Sequence, residues 1–206
     1  LGLNAKVIQT DGLQWSVGGN FALNRNKVVR MGESDRVVTG SLIEMVRQNV
    51  NHFIVGQPMY TFYGYRANGI IQTLEEGIGA GLTGREALPG EIKYVDISGP
   101  KGESDGTIDP TYDRTVIGDP TPKFIYSFNT SASYKRFDLS AQFYGVYGND
   151  VFDLQKMTPS RQVQRWTPDN PSQLYPRANN TRGYKASDFF VEDGSFLRLQ
   201  NVTIGY

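Results

Sequence analysis

The sequence predicts an all-β chain: an antiparallel, up-and-down sheet that forms part of a large transmembrane β-barrel and carries long loops at one end of its strands. Three observations lead there. Several segments of about 10 residues alternate apolar and polar side chains with period two, as a tilted membrane strand requires. The connections between them are very short on one side and very long on the other. Aromatic side chains make up 12% of the 206 residues, on a polar background with 23 glycines, a composition that favours β structure.

The first strand is expected near 3–10, ahead of the turn signal Asp11-Gly12. The second is expected near 13–24. There Trp15, Val17, Phe21 and Leu23 alternate with Ser16, Gly18, Asn20 and Ala22, and in a strand those two sets point to opposite faces. The third, near 122–134, puts Phe124, Tyr126, Phe128, Thr130, Ala132 and Tyr134 on one face and Ser127, Asn129, Ser131 and Ser133 on the other. The fourth, near 137–147, sets Phe137, Leu139, Ala141, Phe143 and Tyr147 against Asp138, Ser140, Gln142 and Tyr144. Only Lys135 and Arg136 separate the third strand from the fourth, which makes an antiparallel hairpin. Aromatics stand at both shoulders of its turn, where a barrel places an interfacial girdle. The fifth strand, near 196–206, changes phase, with Leu197 and Leu199 odd and Val202, Ile204 and Tyr206 even. A bulge near Gln200-Asn201, or a strand passing into a wet zone, accounts for such a slip.

Between these strands lie two long stretches, 25–121 and 148–195, dense in Gly, Pro, Asn and Asp. Outer-membrane barrels have this asymmetry, with short turns on the periplasmic side and long loops outside. A soluble sandwich spreads its connections more evenly. About five strands cannot close a barrel, so the whole of 1–206 reads as one partial barrel domain. The expectation is an open antiparallel meander with large loops and little helix. Leu1 is not a methionine, and Asn201–Tyr206 reads as the body of a strand; the chain is therefore expected to be a piece of a longer protein, its plug and final strands lying elsewhere.

Composition narrows the function. Lys plus Arg and Asp plus Glu both number 21, which argues against nucleic acid, whose binding rests on a basic excess. With no cysteine and the single histidine His52, thiolate zinc sites, Cys nucleophiles and His-rich metal centres are excluded, and a Ser-His-Asp triad is a poor fit. No run approaches the roughly 18 apolar residues of a membrane helix, which says nothing against a barrel. No pair of carboxylates is marked out for glycoside hydrolysis, and no enzyme is expected. The alternative is a soluble, secreted carbohydrate-binding β-domain. It would have to bury Phe124, Tyr126, Phe128, Leu139 and Phe143 under a second layer.

Six strings, in order along the chain, carry a family resemblance. They are Val55–Tyr65 (VGQPMYTFYGY) followed by Asn68–Gln72 (NGIIQ); Pro89–Asp96 (PGEIKYVD); Asp113–Pro120 (DRTVIGDP), leading to Pro122-Lys123-Phe124; Ser133–Ser140 (SYKRFDLS); Arg165–Pro171 (RWTPDNP); and Glu192–Tyr206 (EDGSFLRLQNVTIGY). Together they resemble the C-terminal part of the SusC/RagA family of TonB-dependent outer-membrane transporters. The resemblance implies the outer membrane of a Gram-negative bacterium and import of oligosaccharides or peptides. It also implies a SusD-like lipoprotein partner, and TonB acting through a plug region outside this chain.

It also implies candidate sites. The family's D-x-N-G-D-G-x-I-x-x-x-D loop is similar to a calcium-binding turn, in which clustered carboxylates suit a hard cation. Here the pattern is stretched and its last Asp falls one place late. Asp96, Asp105, Asp109 and Asp113 remain candidate calcium ligands in the loop 96–113, the alternative being Asx turns in an exposed loop. Tyr60, Phe62, Tyr63, Tyr65 and Trp166 are candidate contacts to cargo or to the partner lipoprotein; otherwise they pack an outer loop. Arg198 is expected on the polar face of its strand, and His52 as an ordinary packed or solvated loop residue.

Overall fold

The computed structural model describes residues 1–40, 43, 46, 48–157, 164–178 and 184–206. The remaining positions all fall inside the two expected loops, and those parts of the loops lie outside the described residues. In chain order the elements are β1 (Gly2–Gln9), β2 (Leu13–Ala22), β3 (Arg36–Val38), β4 (Asn51–Ile54), β5 (Thr61–Tyr65), β6 (Ala67–Ile70), α1 (Leu74–Gly79), β7 (Ile92–Tyr94), β8 (Arg114–Gly118), β9 (Phe124–Tyr134), β10 (Phe137–Tyr147), β11 (Asp150–Phe152), β12 (Val191–Asp193) and β13 (Phe196–Gly205). The chain divides into two compact units, one of residues 1–26, 120–150 and 193–206 and the other of residues 27–119 and 151–192.

The first unit is a single five-stranded sheet in the order β1-β2-β9-β10-β13, antiparallel throughout. β2 ends at Ala22, so Leu23 falls just past the strand expected to contain it. The tight β9–β10 turn is possible because Lys135 takes a left-handed backbone, φ 57°. The register then runs unbroken from Tyr134 opposite Phe137 to Phe124 opposite Tyr147. β13 contains the bulge that its change of phase foretells. Gln142 faces Asn201 and Phe143 faces Leu199, so Gln200 is the extra residue. That insertion rotates the strand back, and Leu197, Leu199, Val202 and Ile204 all end on one face.

The second unit is built from the expected loops. β3, β4, β5 and β8 form a four-stranded antiparallel sheet, and β6 pairs with β7. α1 is short and well capped: Thr73 Oγ1 accepts from the N–H of Glu76 at 3.2 Å, and Glu76 Oε2 accepts from the N–H of Gln72 at 2.8 Å. Two apolar clusters give the unit an interior. One gathers Tyr65, Ile70, Ile71, Leu82, Ala87, Ile92 and Tyr94. The other gathers Val46, Val50, Phe62, Ala186 and Phe190. Ala186 and Phe190 come from the second expected loop and Phe62 from the first, so the two stretches fold as one body.

Candidate functional site

In the five-stranded sheet the pairing register sorts side chains into two unlike faces. Ala132 stands opposite both Trp15 and Leu139, and Leu139 stands opposite Ile204, so these belong to one apolar face. Large groups on it are open: Phe128, Leu139, Val202 and Ile204 are all exposed, Ile204 at 75%. The face has aromatic belts at both ends. Phe137 and Tyr206 lie 4.9 Å apart at one end. At the other, Phe124 touches Phe21 at 5.1 Å, Tyr147 at 4.8 Å and Tyr126 at 5.8 Å. From Phe124 to Tyr134 the strand rises about 33 Å, and a tilt of roughly 40° turns that into about 25 Å of height, the thickness of an apolar barrel band. One polar atom on this face is neutralised locally: Trp15 Nε1 donates to Thr130 Oγ1 at 2.9 Å.

The opposite face is a polar ladder. Ser16 and Ser131 share a hydroxyl hydrogen bond of 2.7 Å, and Asn20 Nδ2 donates to Ser127 Oγ at 3.4 Å. Gly18 lies between the amides of Asn4 and Asn129, where a Cβ would collide with both. Arg198 lies on this face, over the ring of Tyr144 at 5.4 Å. Asp193 accepts from the N–H and hydroxyl of Ser195. The hydroxyl bond, then the N–H bond, lowers the pKa of Asp193.

The five candidate aromatics separate. Phe62 and Tyr65 are buried, each in one of the two apolar clusters, which removes them as contacts for a cargo or partner. The cause is that β5 lies in the interior of its sheet and both its faces are covered. Trp166 packs on the first cluster, its Nε1 donating to Gln72 Oε1 at 3.1 Å. Gly90 abuts the indole, with φ 86°, and a Cβ there would meet the ring. Tyr60 alone is open, at 51%, with φ 64° and its ring 5.0 Å from Phe53. Tyr63 is half-buried and is discussed below.

The acidic loop is organised by backbone, not gathered around a centre. Asp113 is fully buried; its Oδ1 accepts from the N–H groups of Ile97 at 2.7 Å and Ser98 at 3.3 Å, and its Oδ2 from that of Asp109 at 2.7 Å. Asp109 Oδ1 accepts from Thr111 and Tyr112, Asp105 Oδ1 from Thr107, and Asp96 Oδ2 from Gly106. The Asp105–Thr107 and Asp109–Thr111 bonds are Asx-type turns, whereas the Asp96–Gly106 bond joins distant parts of the loop. Among the described residues no three acidic, His or Cys side chains are close enough to hold a metal. Asp113, Asp109 and Asp105 engage backbone N–H groups along the loop, and Asp96 Oδ1 is buried with no hydrogen-bond partner.

No family model matches the chain. It is 32% identical to TonB-dependent receptor P26 of Formosa agariphila over 99% of its own length and 21% of the relative's. It is 29% identical to TonB-dependent receptor P3 of the same organism, again over 99% of this chain and 21% of that one. It is also 25% identical to TonB-dependent receptor SusC of Bacteroides thetaiotaomicron, over 99% of this chain and 19% of that one. Over nearly its whole length the chain is similar to TonB-dependent receptors. Its fold agrees. A solved structure described as the RagAB peptide transporter matches it with TM-score 0.70 and 18% identity, covering 98% of this chain and 21% of that one. The chain spans about a fifth of the length of the curated relatives it matches. The two-faced sheet thus has the fold of a β-barrel wall segment, with one apolar and one polar face.

Within the second unit, sequence reasoning missed one cluster. His52, expected to be ordinary, is 2% exposed; its Nε2 lies 3.3 Å from Asn49 O and its Nδ1 is buried with no partner. Its ring is 5.0 Å from that of Tyr63, and the guanidinium carbons of Arg36 and Arg114 lie 4.3 and 5.7 Å from the same Tyr63 ring. Burial lowers the His52 pKa, and the two arginines lower it further against the opposing Asn49 carbonyl. The residues are far apart in sequence and meet only through the pairing of β3, β4, β5 and β8, so spacing offered no signal.

Proposed function

We propose that the whole protein imports oligosaccharides or peptides across the outer membrane of a Gram-negative bacterium. It would do so as the barrel of a SusC-like transporter, working with a SusD-like surface lipoprotein and driven by TonB through a plug outside this chain. In this reading 1–206 is one partial barrel domain, and 25–121 and 148–195 lie on the extracellular side. The observation that carries it is the five-stranded meander with an exposed apolar face belted by aromatics and a polar face opposite. A receptor wall needs that distribution, and a soluble domain would bury it. The likeness to SusC supports the lipoprotein partner. No bond chemistry is assigned to the chain.

The test is genetic and biochemical. Deleting the gene for the full-length protein should abolish uptake of a fluorescent oligosaccharide or peptide by the source cells. Affinity-tagged receptor from detergent-solubilised outer membranes should bring down a lipoprotein. Unchanged uptake of every such cargo, together with a receptor that purifies alone, would reject the reading.

A further inference from the structure

A polar cleft opens on the loop unit between α1, the β6–β7 pair and the acidic loop. It holds about 500 Å³, within the size range of small-ligand sites. The β6–β7 pair is its floor. There the ladder bulges, and two residues, Asn68 and Gly69, stand opposite the single Lys93. One wall is the end of α1, with Glu76 and Gly79. The other is the acidic loop, with Ser104 and Gly106. Asp96 Oδ2 fixes this second wall by accepting from the Gly106 N–H at 2.6 Å. The two walls join where Gly81 abuts Gly106: a Cβ on Gly81 would collide with the Gly106 carbonyl, and Gly81 O accepts from the Ile108 N–H at 3.3 Å.

The groups around this cleft are reachable and have hydrogen-bonding capacity to spare. Asn68 and Ser104 are exposed, and among the described residues neither side chain has a hydrogen-bond partner. Lys93 Nζ donates to Glu76 Oε1 at 2.6 Å, and the two side chains are 23% and 32% exposed. An ammonium has three donors, so Lys93 keeps others for a ligand. Glu76 Oε2 accepts from the Gln72 N–H at 2.8 Å, and each carboxylate oxygen has a second lone pair. Amide, ammonium, carboxylate and hydroxyl thus set donors and acceptors side by side. A sugar hydroxyl both donates and accepts, so vicinal hydroxyls on one ring can use both kinds. An anion is not favoured, because Glu76 already matches Lys93 and Asp96 adds a negative charge. A peptide side chain finds little to pack on: the apolar lining among the described residues is Ala80, Val95 and the buried Tyr94. We propose that Asn68, Glu76, Lys93 and Ser104 form a binding site for the vicinal hydroxyls of an uncharged sugar ring. This rests on the importer reading and deepens it by naming the class of cargo. Binding to the isolated receptor is measured apart from uptake, so a failure of uptake in cells would count against the importer alone.

The experiment applies the fluorescently labelled full-length receptor, in detergent, to an array. The array carries neutral hexasaccharides of glucose, xylose, mannose and galactose, with hexagalacturonate, hexalysine and a glycine–serine hexapeptide as comparators. At least one neutral glycan should bind about tenfold or more tightly than every comparator, the scale of two neutral hydrogen bonds. A Cβ at Gly79 meets no atom within 4 Å, so Gly79→Trp fills the cleft without a clash. It should abolish binding of that glycan and leave the melting temperature unchanged. Asn68→Ala should weaken the same glycan about tenfold, the upper range for one neutral hydrogen bond, again without a change in melting temperature. If Gly79→Trp does not fold, Ser104→Ala should weaken binding about threefold. No neutral glycan bound, equal or tighter binding of any comparator, or variants that bind like wild type would each overturn the proposal.

Discussion

The two units of this chain solve opposite problems with the same kinds of side chain. The strand unit carries its large apolar groups outward and has almost no interior; of the buried hydrophobic residues only Val146 belongs to it. The other unit is assembled from stretches that look like polar loops, yet among the described residues it holds all the rest, in two clusters. The strand unit depends on its surroundings to satisfy its apolar face, as a wall exposed to hydrocarbon does. The loop unit supplies its own core and excludes water by packing. Hydrophobic patterning alone therefore misleads here: the more visibly amphipathic unit is the one without a core.

Substitutions can break this contrast, and the largest effect is expected inside the loop unit. Phe190 is fully buried against Phe62, Phe152 and Tyr184. Phe190→Ala should destabilise that unit by about 4 kcal/mol, read as early protease cleavage within 27–119 while the barrel keeps its heat-modifiable mobility on gels. Next comes a charge on the apolar face of the sheet. Phe128→Arg should cost about 3 kcal/mol of folding into lipid vesicles, whereas Ser131→Arg on the polar face should cost under ~1 kcal/mol. If the two cost the same, the assignment of faces is wrong.

Asp113→Ala removes acceptors from three backbone N–H groups and should destabilise the loop unit by about 2–3 kcal/mol. Adding calcium should leave the melting temperature of wild type unchanged, measured by differential scanning fluorimetry. A smaller effect should appear at high pH. Burial pushes the Tyr65 hydroxyl up to about 12 and raises that of Tyr94 as well. Both stay protonated when folded while the unfolded chain ionises from about pH 10, so the unfolded state then binds fewer protons and stability falls as pH rises. The loop unit should lose melting temperature above about pH 10, and Tyr65→Phe with Tyr94→Phe should flatten that dependence.

Legibility followed the same division. Period-two alternation in 124–134 and 137–147 is a local property, so those strands and their hairpin could be read directly. The phase change in 196–206 even marked the place of the bulge, because one inserted residue exchanges the faces of everything beyond it. The loop unit was not legible. Its cores join Phe62 to Ala186 and Phe190, and Ile71 to Leu82 and Ile92, through elements too short to show a period. Phe62 and Tyr65 therefore looked available for contact when they are interior. Arg36 and Arg114 attracted no attention, since only cross-strand pairing brings them to Tyr63.

The central claim is best tested by accessibility along β9 and β10 in the full-length receptor reconstituted in bilayers. This chain has no cysteine; with any cysteine elsewhere in the receptor replaced, single cysteines with nitroxide labels can be placed at 128, 132, 139 and 141 and, in alternation, at 127, 129, 131 and 140. Spectra should show the first set collision-accessible to oxygen dissolved in lipid and the second to a water-soluble nickel chelate. Labels at 128, 132, 139 and 141 shielded from both relaxants, as in a protein interior, would contradict the account.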